Sequence, residues 1–139
     1  MNHYSFSELS IGQKESFNIT IQEDMMEKFR SVTGDLNPMH NNAAFAKEHG
    51  YEKPIVYGML TASFISTLGG MYLPGEKCLI RSVETNFVKP VFVGDTLTVT
   101  GTVKSLDERF KIAEISVRII NQNNEKVLRG KLIAGVLEK

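Results

Sequence analysis

The stretch PIVYGMLTASFISTLGGMYLPG, residues 54–75, contains no charged side chain. Residues 58–68 within it are apolar or small on every face of a helix, which predicts a helix buried in the interior. Gly69-Gly70 and Pro74-Gly75 predict its end. The run is long enough to cross a bilayer, but its hydroxyl residues and glycines make it only weakly apolar. We therefore expect a buried core helix and no membrane span.

Strand patterns lie on both sides of this helix. Residues 15–21 alternate polar and apolar side chains, as in a half-buried strand. Four later segments, rich in β-branched and aromatic residues or alternating, predict an antiparallel meander: 77–89, 96–106, 111–121 and 126–137. Segregated helices and strands predict an α+β fold in which a curved antiparallel sheet wraps around the central apolar helix.

Two shorter helices are predicted before the central one. Residues 22–32 carry apolar side chains at helical spacing, with Thr20 as a candidate N-cap and Gly34 as the stop. Asn42 is a candidate cap for a helix over 43–49, which Gly50 would end.

Composition limits the class of protein. The chain has 139 residues, 42% of them hydrophobic, which suits one soluble domain over 1–139. Its 16 basic and 16 acidic side chains cancel, which argues against a nucleic-acid or cationic membrane-surface protein. Cys78 is alone, and the start shows no signal-peptide pattern, so we expect a cytoplasmic protein.

The loop Gly34-Asp35-Leu36-Asn37-Pro38-Met39-His40 holds a carboxylate and an imidazole close together. Gly34 and Pro38 restrict the backbone, and a fixed acid–base pair is what proton transfer requires. The same pattern is also typical of a plain turn in which Asp and Asn side chains bind local amides.

A second candidate is Gly58, at the start of the central helix. A helix N-terminus has free N–H groups and a positive dipole end, and a residue without Cβ lets another group approach closely. These are properties of an oxyanion site, although packing alone would also explain a glycine here.

Together these segments resemble the MaoC-like hydratases, the (R)-specific enoyl-CoA hydratases (hydratase 2) of hot-dog fold. The resemblance begins at the 34–40 motif and includes Phe45-Ala46. It continues through Lys53-Pro54-Ile55-Val56-Tyr57-Gly58-Met59-Leu60, Leu73-Pro74-Gly75 and residues 86–95, and so covers nearly the whole chain.

The resemblance implies the roles of individual residues. Asp35 and His40 match the catalytic pair, and Gly58 matches the residue whose N–H holds the thioester oxygen. Asn37 and Ser66 are carried over as substrate-binding positions, although Asn37 also suits bracing the loop and Ser66 also suits a bond to a carbonyl one turn back. The implied reaction is (R)-specific hydration of a trans-2-enoyl-CoA, or the reverse dehydration, by a homodimer.

Two positions depart from the family pattern, and neither removes the acid–base pair. Tyr57 stands where members commonly have His; because the contact there is a backbone amide, we expect activity to survive. Asn41-Asn42 stands where an acidic residue is common, and Asn caps a helix as well as Asp does. No metal or other cofactor is expected, because the three histidines lack ligand spacing.

Three other functions share this fold and substrate class. A thioesterase, like the dehydratases of fatty-acid synthesis, commonly has a carboxylate on the central helix, and none occurs between Glu52 and Glu76. A 3-hydroxyacyl dehydratase acting on acyl carrier protein would use the same chemistry with another carrier. A non-catalytic acyl-thioester-binding protein would not need Asp35, His40 and Gly58 together.

Overall fold

The computed structural model describes residues 1–138 and contains one five-stranded sheet and three α-helices. In chain order the main elements are β1 (Lys14–Thr20), α1 (Glu23–Thr33), α2 (Ala43–Glu48), α3 (Gly58–Thr67), β2 (Cys78–Phe87), β3 (Thr96–Asp107), β4 (Ile112–Ile120) and β5 (Lys126–Val136). Short 3₁₀ turns cover Phe6–Glu8 and Pro38–His40, and a π-helical turn over Leu68–Tyr72 continues α3.

The sheet is antiparallel throughout, in the order β1-β3-β4-β5-β2. The predicted meander is confirmed for β3, β4 and β5, which are joined by short hairpin connections. It is wrong for β2, which pairs with β5 and forms one edge of the sheet. The longer connection over 88–95 carries the chain from that edge to β3. The strand β1 pairs with β3 and forms the opposite edge of the sheet.

The inner face of the sheet follows from the alternation of side chains. Leu97, Val99, Gly101 and Val103 of β3 are buried, and β4 buries every second residue from Ala113 to Ile119. The residue that directly follows α3 lies close against this face: a Cβ on Gly101 would be 2.9 Å from Cδ2 of Leu68. The sheet thus packs around α3, which confirms the expected α+β hot-dog arrangement.

The central helix is less buried than its composition predicts. Leu60, Thr61 and Ile65 are buried, but Met59 is 64% exposed and Ser63 and Ser66 are also exposed. Positions 59, 63 and 66 are spaced by four and three residues and form one stripe. Burial on every face is therefore wrong for the chain alone, because the sheet covers only one side of the helix.

The helix ends show where local signals are sufficient. Gly34 ends α1 with φ of 71°, and its N–H donates to Arg30 O, as predicted. Asn42 caps α2 by accepting from Phe45 N at 3.0 Å. Thr20 does not cap α1, because it is the last residue of β1 and its hydroxyl pairs with that of Thr96.

The α-helical part of the central helix ends at Thr67, one residue from the predicted end at Leu68. The chain then passes through Gly69-Gly70 in a π-helical turn, which the Leu73 N–H closes by donating five residues back to Leu68 O, and Pro74-Gly75 follow this turn. Among residues 1–138, no helix is both long enough and apolar enough to cross a membrane.

Candidate active site

The loop after α1 is fixed by short-range hydrogen bonds around Asp35. The Asp35 N–H donates to Thr33 Oγ1 at 3.2 Å, and Asp35 Oδ1 accepts from Asn37 N at 3.0 Å. Oδ2 of Asp35 has no hydrogen-bond partner among residues 1–138. The carboxylate is therefore held through one oxygen while the other is available to a ligand.

His40 ends the same loop and is anchored through one ring nitrogen. Its Nδ1 lies 2.8 Å from Ile55 O. A carbonyl oxygen only accepts, so Nδ1 carries the hydrogen in this contact. In the neutral ring Nε2 then keeps its lone pair, and the ring packs against Tyr57 with centroids 4.1 Å apart. The bond to Ile55 thus selects the tautomer that presents an acceptor.

Gly58 is the first residue of α3. The N–H groups of Leu60 and Thr61 both donate to Tyr57 O, whereas the Gly58 N–H has no helical carbonyl four residues before it. A Cβ on Gly58 would lie 3.1 Å from Cε1 of Phe87. Glycine therefore suits this position because the aromatic ring comes so close to the backbone.

These three residues line one cavity. Its volume is ≈ 530 Å³, and its walls are Asp35, His40 and Gly58 together with Phe29, Thr33, Tyr57, Met59 and Phe87. The carboxylate, the imidazole and the helix N-terminus predicted from the sequence thus meet in a mainly apolar space. We call this the Asp35 cavity.

A second cavity of ≈ 260 Å³ adjoins the first. It shares His40, Gly58 and Phe87 with the Asp35 cavity, and its other walls include Ile55, Val88, Lys89, Pro90, Val91 and Val127. We call it the Val91 cavity. The two spaces meet at the start of α3.

The remaining two candidates lie elsewhere. The Asn37 side chain accepts from Met39 N at 2.9 Å and so braces the turn Pro38–His40. Ser66 lies on the exposed stripe of α3, eight residues beyond Gly58. Neither residue is in the wall of either cavity.

Tyr57 is a site residue that sequence reasoning missed. The sequence pattern draws attention only to the backbone at this position, whereas the Tyr57 side chain is buried, lines the Asp35 cavity and donates to Asp35 O at 2.6 Å. The available signal was a large aromatic residue directly before the glycine, at a position where the resembled family commonly has another ring.

Other reactive groups do not join this site. Burial raises the pKa of the half-buried Cys78 thiol, so at neutral pH it stays protonated and is a poor nucleophile. Residues 1–138 contain no group of three or more His, Cys, Asp or Glu side chains arranged to hold a metal ion.

The chain is similar in sequence and in structure to known proteins. Residues 7–125 match the model of the MaoC like domain family. The chain is 35% identical over 129 residues to an (R)-specific enoyl-CoA hydratase of Aeromonas caviae, covering 93% of this chain and 96% of that protein. It is 31% identical to a 3-hydroxybutyryl-CoA dehydratase of Methylorubrum extorquens, covering 96% and 85%.

A solved structure shows the same fold. The unliganded R-hydratase PhaJ1 from Pseudomonas aeruginosa superimposes with a TM-score of 0.90 and 30% identity, over 97% of this chain and 86% of that one.

Proposed function

Since the chain belongs to the MaoC-like domain family, we propose that it adds water to a trans-2-enoyl-CoA to give the (R)-3-hydroxyacyl-CoA and catalyses the reverse dehydration. Its curated relatives include a hydratase and a dehydratase of acyl-CoA thioesters, and the chain is an enzyme of this lyase type. The observation that carries the detailed proposal is that Asp35, His40 and Gly58 line one cavity.

Asp35 and His40 hold the water in this mechanism. Oδ2 of Asp35 and Nε2 of His40 are both acceptors, so one water molecule can donate a hydrogen to each of them. Its oxygen lone pair then faces the electrophilic β-carbon of the enoyl group. Asp35 takes one proton as the C–O bond forms, which is general-base catalysis.

Gly58 supplies the charge stabilisation. As oxygen adds to the β-carbon, the C=C electrons move towards the thioester and negative charge develops on its oxygen. In this proposal the Gly58 N–H, at the positive end of α3, holds that oxygen. One such donor is typically worth about 3–4 kcal/mol in the transition state.

The reaction ends when a proton reaches the α-carbon. The enolate electrons form the new C–H bond, and the Asp35–His40 pair returns the proton that it took from water. The net change is therefore addition of H and OH across the C=C bond, and the residues recover their starting states.

The two cavities suit the two arms of a thioester. The acyl chain and the thiol arm leave the carbonyl carbon in different directions, and the cavities meet at Gly58. Asp35, which acts at the β-carbon, lines the larger space and is absent from the walls of the smaller. We assign the acyl chain to the Asp35 cavity and the thiol arm to the Val91 cavity.

The homodimer implied by the resemblance is part of the same proposal. The edge strand β2 leaves Val83 46% and Phe87 53% exposed, with further exposed apolar residues along it, and the exposed stripe of α3 lies on the side that the sheet leaves open. An apolar edge strand with unpaired backbone groups is a strong pairing surface. Antiparallel pairing of β2 with β2 of a second copy buries the same surface on both.

The test is hydration of crotonyl-CoA, followed by loss of the conjugated enoyl absorbance, with the chirality of the product determined. We expect wild-type turnover to the (R) product. Asp35→Asn keeps the side-chain volume but removes the general base, so we expect kcat to fall by about 10²–10⁴-fold. Asp24→Asn, at an exposed carboxylate of α1, is the matched control.

His40→Ala tests the second member of the pair. Loss of the ring removes the Nε2 acceptor, and we expect a fall in kcat of similar size, about 10²–10⁴-fold. The control is His49→Ala, because His49 makes the same kind of Nδ1 contact with a carbonyl at 2.8 Å but is exposed on the far end of α2. Near-normal turnover in Asp35→Asn or His40→Ala refutes the assigned roles.

The alternatives give different results in the same assay. Turnover of an enoyl group on acyl carrier protein without turnover of any enoyl-CoA identifies the carrier-linked dehydratase. Saturable binding of acyl-CoA without turnover identifies a binding protein.

A further inference from the structure

The Tyr57 hydroxyl connects Asp35 to the rest of the site. Tyr57 is only 1% exposed, yet its hydroxyl makes two hydrogen bonds. It donates to Asp35 O at 2.6 Å and accepts from Arg30 Nε at 3.1 Å. A buried hydroxyl with both a donor and an acceptor partner has one fixed orientation.

This contact differs in range from the other contacts of Asp35. The Asp35 N–H and carboxylate bind Thr33 and Asn37, each two residues away. These bonds fix the internal shape of the loop, but they do not attach the loop to the rest of the protein. The bond from Tyr57 spans 22 residues and ties Asp35 to the start of α3.

Tyr57 also contacts the other two members of the site. It directly precedes Gly58, and its carbonyl accepts the first N–H groups of α3. Its ring packs on that of His40, with centroids 4.1 Å apart. Tyr57 therefore contacts the loop of the base and the imidazole through its side chain, and the helix end that would hold the thioester oxygen through its backbone.

Arg30 completes the connection from the other side. Its carbonyl accepts from Gly34 N, and its Nε donates to the Tyr57 hydroxyl. The backbone on either side of the Gly34–Asp35 peptide is thereby held to the last turn of α1 and, through Tyr57, to α3.

We propose that Tyr57, oriented by Arg30, is a positioning residue that sets the distance between the Asp35 carboxylate and the Gly58 N–H. This inference rests on the proposed function, because it concerns the geometry between the β-carbon and the carbonyl oxygen of the same substrate. Small displacements of a reacting group reduce the rate of the chemical step more than they reduce binding.

The first experiment is Tyr57→Phe, which removes the hydroxyl and keeps the ring against His40. We expect kcat to fall by about 10- to 10²-fold, while KM for crotonyl-CoA changes by less than about twofold. An unchanged kcat, or a change confined to KM or to thermal stability, overturns the proposal.

Arg30 gives the second experiment. Because Arg30 acts through the Tyr57 hydroxyl, Arg30→Met lowers kcat in the wild type but causes no further loss in the Tyr57→Phe background. Arg118→Met, which removes an exposed charge on β4, is the control and leaves kcat unchanged. Additive losses for Tyr57 and Arg30 overturn the connection between them.

The last readout does not depend on activity. Hydrogen exchange of the Asp35 and Asn37 amides becomes faster in Tyr57→Phe if the hydroxyl holds the loop. A wild type that fails to hydrate the thioester refutes the proposed function, and the exchange data still decide the role of Tyr57. Equal exchange in both proteins refutes the positioning role, even when the wild type is active.

Discussion

At the scale of single residues, the absence of a Cβ at Gly58 matters to the site as much as the N–H group does. The amide would remain in any residue except proline, whereas a Cβ would lie 3.1 Å from Cε1 of Phe87 and 3.4 Å from Cδ1. Contacts this short require the ring to move, and that ring is a wall of both cavities. The shape of both cavities therefore depends on the absence of a side chain at position 58.

Gly58→Ala tests this dependence. We expect kcat/KM to fall by about tenfold, which corresponds to roughly 1.4 kcal/mol, because a shift of the Phe87 ring changes a wall that both cavities share. Gly70→Ala is the matched control, since a Cβ there meets no atom within 4 Å. If Gly58→Ala and Gly70→Ala have equal kcat/KM, the steric explanation is wrong.

At the scale of elements, the His40 loop and α2 share a boundary. Asn42 caps α2 through Phe45 N, and Asn42 N–H in turn donates to Pro38 O. A helix of six residues has little stability of its own, so its cap contributes a large part of its local order. Asn42 therefore holds the chain that leaves His40 in two ways, through its backbone N–H to Pro38 O and through its side-chain oxygen to the start of α2.

Asn42→Ala removes that oxygen. We expect a loss of about 1 kcal/mol in the free energy of unfolding, measured by urea denaturation with kcat recorded in parallel. Asn41→Ala changes the preceding residue, which ends the 3₁₀ turn without any role in capping α2, and serves as the control. Equal unfolding free energies for the two variants would exclude the capping role.

At the scale of the whole molecule, the two edges of the sheet differ in character. The β1 edge alternates polar and apolar residues, whereas β2 exposes apolar residues and borders the open side of α3. Net charge is zero, so no overall repulsion opposes self-association. This asymmetry favours β2 over β1 as the contact surface of the proposed homodimer.

Val83→Lys places a charge in the middle of β2. We expect the mass measured by light scattering to fall from two chains to one, because pairing would bury an uncompensated ammonium group. Ile11→Lys, at a 69% exposed apolar residue just before β1, should leave the dimer intact. Dimers that persist in Val83→Lys would show that β2 is not the contact.

The sequence was most informative where a pattern is local. Alternation predicts β1 and β3, a run of β-branched residues predicts β4, and single residues such as Gly34 and Asn42 mark helix ends, because each acts through its own neighbourhood. The edge position of β2 and the hydroxyl contact of Tyr57 depend on residues far apart in the chain. No periodicity encodes such contacts, so only the three-dimensional structure reveals them.

The bond between His40 and Ile55 has a consequence for redesigning the enzyme. The acceptor is a main-chain oxygen, which every amino acid provides, and the Ile55 N–H donates to Met39 O. Any residue except proline at position 55 can therefore preserve both bonds. Because Ile55 lines the Val91 cavity, a library at this position can reshape the cavity that we propose for the thiol arm while the imidazole keeps its tautomer.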